Sequence, residues 1–124
     1  MLLLDERIRS DGSHARTWAS WDGRFLHIQE DAGPPCPLPR AALDQVMSRY
    51  GQPLEDGVSA NGDSLSCGDF RLARLQFRAI VDAEPRDYLV WERPGQPPIA
   101  CVAATVTAAL WHLARRLGGA ASGI

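Results

Sequence analysis

The chain of 124 residues contains no lysine, and all 13 of its cationic side chains are arginines. This absence excludes Schiff-base chemistry and lysine nucleophiles. Runs of basic residues are also missing, and the formal net charge is −2. The sequence therefore lacks the positive footprint of a protein that binds nucleic acid or an anionic membrane. The exclusive use of arginine is typical of a GC-rich genome and predicts a bacterial source.

Cysteine is scarce, and its spacing offers no pairs. Cys36, Cys67 and Cys101 are odd in number and far apart, which excludes a disulfide framework or a zinc knuckle. We therefore predict three reduced thiols in a cytoplasmic protein. The N-terminal apolar run ends at Asp5 and is too short for a signal peptide. The uncharged stretch 99–114 would rise about 24 Å as a helix, short of the ~30 Å hydrocarbon core of a membrane.

No complete catalytic set or cofactor motif is present in the sequence. There is no phosphate-binding glycine-rich loop and no dinucleotide fingerprint. The histidines His14, His27 and His112 share no metal-ligand spacing, and no cysteine has a base beside it. Residues 62–65 spell the GDSL signature of a family of esterases, but the one later histidine lacks the acid three positions before it that this family requires. We therefore predict no cofactor and no metal, and the sequence favours a protein that is not an enzyme.

Turn signals and apolar periods predict a single α+β domain over residues 1–124. The expected fold is an antiparallel sheet of about six strands with two helices packed on it, in the order βββ-α-βββ-α. Pro39 and Gly51 mark the ends of the first helix, and the proline-rich stretch before it is expected to end the first strand group. The second helix is expected to begin near Ile99 and to stop at Gly118. The predicted strands cover residues 2–9, 14–21, 24–30, 70–83 and 88–92, with a weaker hairpin at residues 61–62.

Residues 16–30 predict a β-hairpin that carries large aromatic groups on both faces. Asp22 and Gly23 fit a two-residue type I′ turn, which needs positive φ at both central positions and places Trp18 opposite His27. The predicted core face consists of Ala19, Trp21, Leu26 and Ile28. The other face consists of Arg16, Trp18, Ser20, Phe25 and His27. Such a mixture of apolar area and polar groups is typical of an interface or a ligand-stacking wall, whereas a covering helix would make it ordinary core.

Two further surfaces are candidates for binding. Arg74 and Arg78 lie on the polar side of the long strand, where they form either an anion or partner contact or a solvated face with Glu92 as an ion-pair partner. The second helix is apolar nearly all round, which is typical of a helix that is buried on two sides. Its outer side, near Thr107 and Trp111, is therefore expected to contact a second subunit or a partner.

These observations lead to a prediction of function. We expect a non-catalytic cytoplasmic binding or accessory protein that acts through a protein interface and forms a homodimer or binds a protein partner. The alternative is a small-molecule binder or small enzyme with a pocket between sheet and helices, in which His27 or Cys67 takes part. Its distinguishing sign is a polar residue with a perturbed pKa that points into a cavity. A nucleic-acid binder that uses Arg74, Arg78 and Trp18 is opposed by the net negative charge.

Overall fold

The computed structural model describes residues 1–31, 33–54, 63–77 and 86–122, and for residues 76, 77, 86 and 118–122 it describes the backbone alone. The described residues form two α-helices and nine β-strands. The α+β class is confirmed, but the single six-stranded sheet is wrong, since the strands form two antiparallel sheets. The elements are β1 Leu2–Ile8, β2 His14–Trp21, β3 Phe25–Glu30, β4 Cys36–Pro39, α1 Arg40–Tyr50, β5 Gln52–Pro53, β6 Ser64–Cys67, β7 Phe70–Phe77, β8 Arg86–Glu92, β9 Ile99–Val102 and α2 Ala103–Ser122.

The N-terminal sheet has the strand order β1-β2-β3-β4, and the C-terminal sheet has the order β5-β9-β8-β7-β6. The proline-rich segment was expected to end the first strand group, yet it contributes the edge strand β4, in which Pro37 pairs with His27 and Pro39 with Phe25. A proline is tolerated at an edge because the missing N–H group can lie on the unpaired side. Helix α1 follows β4 directly, so the chain leaves the N-terminal sheet here and the later strands build a separate one.

The hairpin of β2 and β3 has the predicted faces but not the predicted register. Trp21 pairs with Leu26 and Ala19 with Ile28, so the loop is longer than the expected two-residue turn. The Asp22 carboxylate stabilises the longer loop, because its Oδ1 accepts hydrogen bonds from the backbone N–H groups of Arg24 (2.8 Å) and Phe25 (2.7 Å). A shift of two residues keeps each side chain on its face of the sheet.

Helix α1 agrees with its prediction, whereas α2 differs at both ends. The stretch that was expected to open the second helix is strand β9, in which Ile99 and Cys101 alternate inward with a period of two. A short apolar run fits a buried strand as well as a helix, and sequence periodicity does not separate the two. Gly118 does not stop α2, which continues to Ser122.

Both sheets and both helices contribute to one main core. Its members from the sheets include Leu2, Leu26, Ile28, Leu72, Leu89 and Trp91, and those from the helices include Leu43, Met47, Val106 and Leu110. A hydrogen bond joins helix α1 to the C-terminal sheet. Trp91 Nε1 on β8 donates it to Asp44 Oδ1 on α1 at 2.9 Å. The end of α1 approaches β9 closely at Gly51, where a Cβ atom would lie 2.2 Å from Ile99 Cγ2. The two contacts fix the position of α1 on the C-terminal sheet.

Candidate functional site: a groove between the two helices

The aromatic face that was predicted on the first hairpin is present on the N-terminal sheet. Trp18 and Phe25 are half-buried there and lie outside the main core. The Arg24 guanidinium covers the Phe25 ring at 5.1 Å from its centroid. The register pairs Trp18 with Gln29 and His27 with Ser20, so the predicted pairing of Trp18 with His27 is wrong. The residues share a face without being direct neighbours, and part of their apolar area remains accessible.

The polar groups of the same face already have partners within the chain. Arg16 Nε donates a hydrogen bond to Glu6 Oε2 at 3.0 Å, and hydrogen bonds from His14 and then Arg16 lower the pKa of Glu6. His27 Nε2 lies 2.7 Å from Asp22 Oδ2. Because Arg16 and His27 are used in these pairs, the face offers few free polar groups to a ligand.

Asp22 makes the stability of this hairpin depend on pH. The backbone N–H of Phe25, the His27 side chain and the backbone N–H of Arg24 lower the pKa of Asp22 from 3.8 to about 2. Its stabilising contribution is therefore complete above pH 3.8 and is lost as the pH falls to about 2. We expect Asp22→Ala to destabilise the protein at neutral pH, and the difference from wild type to disappear over this acid range. Urea denaturation at stepwise lower pH measures the difference, and Asp69→Ala is the control. If the difference in the free energy of unfolding between wild type and Asp22→Ala stays constant down to pH 2, the Asp22 carboxylate is not the source of this pH dependence.

Arg74 joins the two sheets and is not a free cation. Its Nη1 donates a hydrogen bond to the Leu3 carbonyl oxygen at 3.0 Å, and its Nη2 pairs with Asp87. The expected partner Glu92 instead binds Arg71 at 2.9 Å. The pairing differs because Arg74 lies on the same face of β7 as the buried Leu72, which turns it toward the N-terminal sheet. Arg78, the second predicted cation of this surface, lies outside the described residues.

The surface predicted near Thr107 and Trp111 faces inward. Thr107 is buried, and Trp111 is half-buried with its Nε1 donating a hydrogen bond to Thr17 Oγ1 at 3.0 Å. This side of α2 packs against the N-terminal sheet, so it is not the outer side of the helix. The outer side instead carries Ala104, Thr105, Ala108, His112 and Arg116, which are all exposed.

Cys67, one of the two residues named for a small enzyme, is not placed to act as a nucleophile. Cys67 is fully buried, and burial raises the pKa of its thiol to about 11. A thiol that stays protonated at neutral pH is a poor nucleophile. In the part of the chain that the structure describes, no group of three or more His, Cys, Asp or Glu side chains is placed to hold a metal ion.

An open groove runs between α1 and α2 and has a volume of 810 Å³. Val46, Ala108, Ala109 and Leu113 supply its apolar surface, and Tyr50, which is 47% exposed, stands at one end. The alanines keep the wall on α2 low, so a partner backbone can come close to the helix. We call this feature the interhelix groove.

The rim of the interhelix groove has one sign of charge. Arg49, His112 and Arg116 line it, and no carboxylate lies among its described lining residues. Arg49 and Arg116 form no ion pair with any residue that the structure describes. The Arg49 guanidinium lies 5.3 Å from the centroid of the Tyr50 ring. An apolar floor with unpaired cations beside it is suited to a ligand that is apolar on one side and negatively charged at its flanks.

Sequence reasoning missed the residues of this groove. His112 and Arg116 are four positions apart, which places them on one face of a helix, and this spacing was the available signal. Arg49 lies on the other helix, and the sequence does not show that α1 packs beside α2. The groove exists only through that packing.

Comparison with known proteins adds no family to this description. The chain matches no protein-family model, no curated protein and no solved structure. Within the described residues, no helix combines the length and the apolar character needed to cross a membrane.

Proposed function

We propose that this protein is a non-catalytic binding protein that receives a segment of a protein partner in the interhelix groove. The observation that carries the proposal is the combination of an apolar floor with the unpaired cations Arg49 and Arg116 and no carboxylate among the described lining residues. All three cysteine thiols are free, which supports the cytoplasmic location that the sequence favours.

The partner segment that fits best is an acidic amphipathic helix. Such a helix lays an apolar stripe into a groove and keeps its polar sides at the rim. Ala109 and Leu113 would contact the stripe, while glutamates or aspartates beside it would meet the two arginines. The exposed Ala104 and Ala108 would allow the two helix axes to approach closely.

The test uses two synthetic helical peptides with the same leucine stripe. One carries glutamates beside the stripe, and the other carries lysines at the same positions. We expect the acidic peptide to bind and to bind more weakly as salt rises, because rim charges act through screened electrostatics. We expect the double variant Arg49→Glu/Arg116→Glu to lose about tenfold or more in affinity. Fluorescence anisotropy measures both quantities.

The control variant is Arg24→Glu, which reverses an exposed charge on the hairpin outside the groove and is expected to leave peptide affinity unchanged. Equal binding of the acidic and basic peptides, or a double variant that binds like wild type, would refute the proposal.

The natural occupant can be located by placing a photo-crosslinking residue at position 108, on the exposed face of α2. A crosslink to an acidic helical segment of another protein supports the proposal. A crosslink to a second copy of this chain would replace the partner with a homodimer, which native mass spectrometry checks directly. A crosslink to nucleic acid would overturn the proposal.

A further inference from the structure

A second, smaller pocket lies next to the interhelix groove, beyond Ala104 and Ala108 of α2, where the helix crosses one end of the N-terminal sheet. It has a volume of 330 Å³, which is enough for a small organic molecule. We call it the Thr107 pocket, and its lining residues with polar or aromatic side chains are Asp5, Arg7, Thr17, Glu30, Thr107, Trp111 and Arg115.

A β-bulge in β1 directs two of the charged side chains into this pocket. The pairing of β1 with β2 shifts between Leu3 and Asp5. After the shift Asp5 pairs with Thr17 and Arg7 pairs with Ala15. Directly opposed residues of an antiparallel pair share a face, and Ala15 and Thr17 are buried. The bulge therefore turns Asp5 and Arg7 from the outer face to the inner face of the sheet. Bulges often re-aim side chains in this way beside functional sites.

The buried hydroxyl of Thr107 has no hydrogen-bond partner among the described residues. Thr107 is 7% exposed, and its Oγ1 is enclosed without a hydrogen-bond partner among the described residues. Buried polar groups are nearly always satisfied, so this hydroxyl in the wall of the pocket is placed to hydrogen-bond with a molecule that occupies it. Thr17 beside it accepts a hydrogen bond from Trp111 Nε1, and its own hydroxyl proton is free to be donated.

The charges of the pocket favour an anionic group on the ligand. The guanidinium groups of Arg7 and Arg115 make no hydrogen bond or ion pair with the residues that the structure describes. The charge of Glu30 is balanced by Arg9, whose Nη2 lies 2.7 Å from Glu30 Oε1. Asp5 is partly buried, and desolvation raises the pKa of its carboxyl, while the backbone N–H of Glu6 and then the charge of Arg74 oppose the shift. The two cations therefore remain available for a carboxylate.

We infer that the Thr107 pocket binds a small hydroxylated organic acid, with its carboxylate on Arg7 and Arg115 and its hydroxyl among Thr107, Thr17 and Asp5. This class matches the available groups, since a ligand hydroxyl both accepts and donates hydrogen bonds. The inference does not rest on the interhelix groove, although the two sites share Ala104 and Ala108 of α2.

The test uses malate, succinate and glycerol at millimolar concentration as probes. Malate and succinate differ by the hydroxyl alone, and glycerol has hydroxyls without a carboxylate. The indole N–H resonance of Trp111 reports binding in a ¹H–¹⁵N NMR titration, because this group lies in the pocket wall. We expect malate to shift this resonance saturably and to bind about tenfold or more tightly than succinate. Glycerol is expected to produce no shift.

Two variants separate a ligand site from a structural feature. Thr107→Val keeps the shape of the side chain and removes the orphan hydroxyl, so we expect unchanged or higher thermal stability together with about tenfold weaker malate binding. Arg115→Gln is expected to weaken malate and succinate equally. Arg49→Gln, in the interhelix groove, is the matched control and is expected to leave the affinities for malate and succinate unchanged.

Several results would overturn this inference. They are the absence of any Trp111 shift with all three probes, equal affinity for malate and succinate, and malate binding that survives both Thr107→Val and Arg115→Gln. Because the peptide experiment depends on Arg49 and Arg116, failure of one proposal is distinguishable from failure of the other.

Discussion

Replacing Trp91 with alanine is expected to destabilise the protein by about 3–5 kcal/mol, the range for removal of a large buried aromatic side chain. Trp91 is fully buried, and its ring centroid lies 5.1 Å from that of Phe70. Its Nε1 also donates the 2.9 Å hydrogen bond to Asp44, whose carboxylate would lose this donor in the variant. The free energy of unfolding, from urea denaturation followed by far-UV circular dichroism, measures the effect.

Two further tryptophan variants make this result interpretable. Trp91→Phe keeps an aromatic ring and removes the N–H group, so we expect a smaller loss of about 1–3 kcal/mol. Trp18→Ala removes a half-buried ring outside the main core and is expected to cost less than Trp91→Ala. If Trp91→Ala and Trp18→Ala lower the free energy of unfolding by the same amount, Trp91 does not hold α1 on the C-terminal sheet. Since Asp44 lies on α1, Trp91→Phe is also expected to weaken binding of the acidic peptide at the interhelix groove.

Replacing Arg74 with methionine is expected to destabilise the protein by about 2 kcal/mol, because it leaves two partly buried acceptors without a donor. These acceptors are the Leu3 carbonyl oxygen on the N-terminal sheet and the Asp87 carboxylate on the C-terminal sheet. Methionine retains much of the length of the arginine side chain, so the lost packing is small. The same denaturation experiment measures the change.

Arg71→Met is the matched control for Arg74. Arg71 lies on the same strand and pairs with Glu92, and both of these side chains are more than a third exposed (36% and 39%), so the ion pair is expected to contribute about 0–1 kcal/mol. If the two variants lose the same stability, Arg74 acts as an ordinary surface cation and does not join the sheets. High salt is expected to reduce the small Arg71 effect more than the larger Arg74 effect, because partly buried pairs are screened less.

The local elements were predictable where one signal dominated. The alternation of Ala19, Leu26 and Ile28 with polar neighbours fixed the core face of the first hairpin, and the two-residue register shift left that face unchanged. Helix α1 was predictable because proline and glycine bound a clear apolar stripe. Strand β9 was not, since four apolar residues fit a strand or a helix equally well.

The candidate sites were less predictable, because each depends on contacts between distant segments. Trp111 was identified as a binding candidate, but the sequence placed it on the outer side of α2, and the structure turns it toward Thr17, which is 94 positions away. The bulge that brings Asp5 and Arg7 inward leaves no distinct pattern in the leucines at 2–4.

The sequence by itself determined the α+β class, the first hairpin with its two faces, the first helix and the absence of lysine chemistry. These features follow from composition and from periods of a few residues, which act within one segment. Only the tertiary structure decided that the strands divide into two sheets, that α1 lies beside α2, and that the Thr107 hydroxyl has no hydrogen-bond partner among the described residues. Such features arise from side-chain packing between segments far apart in the chain, and no local pattern of residues encodes that packing.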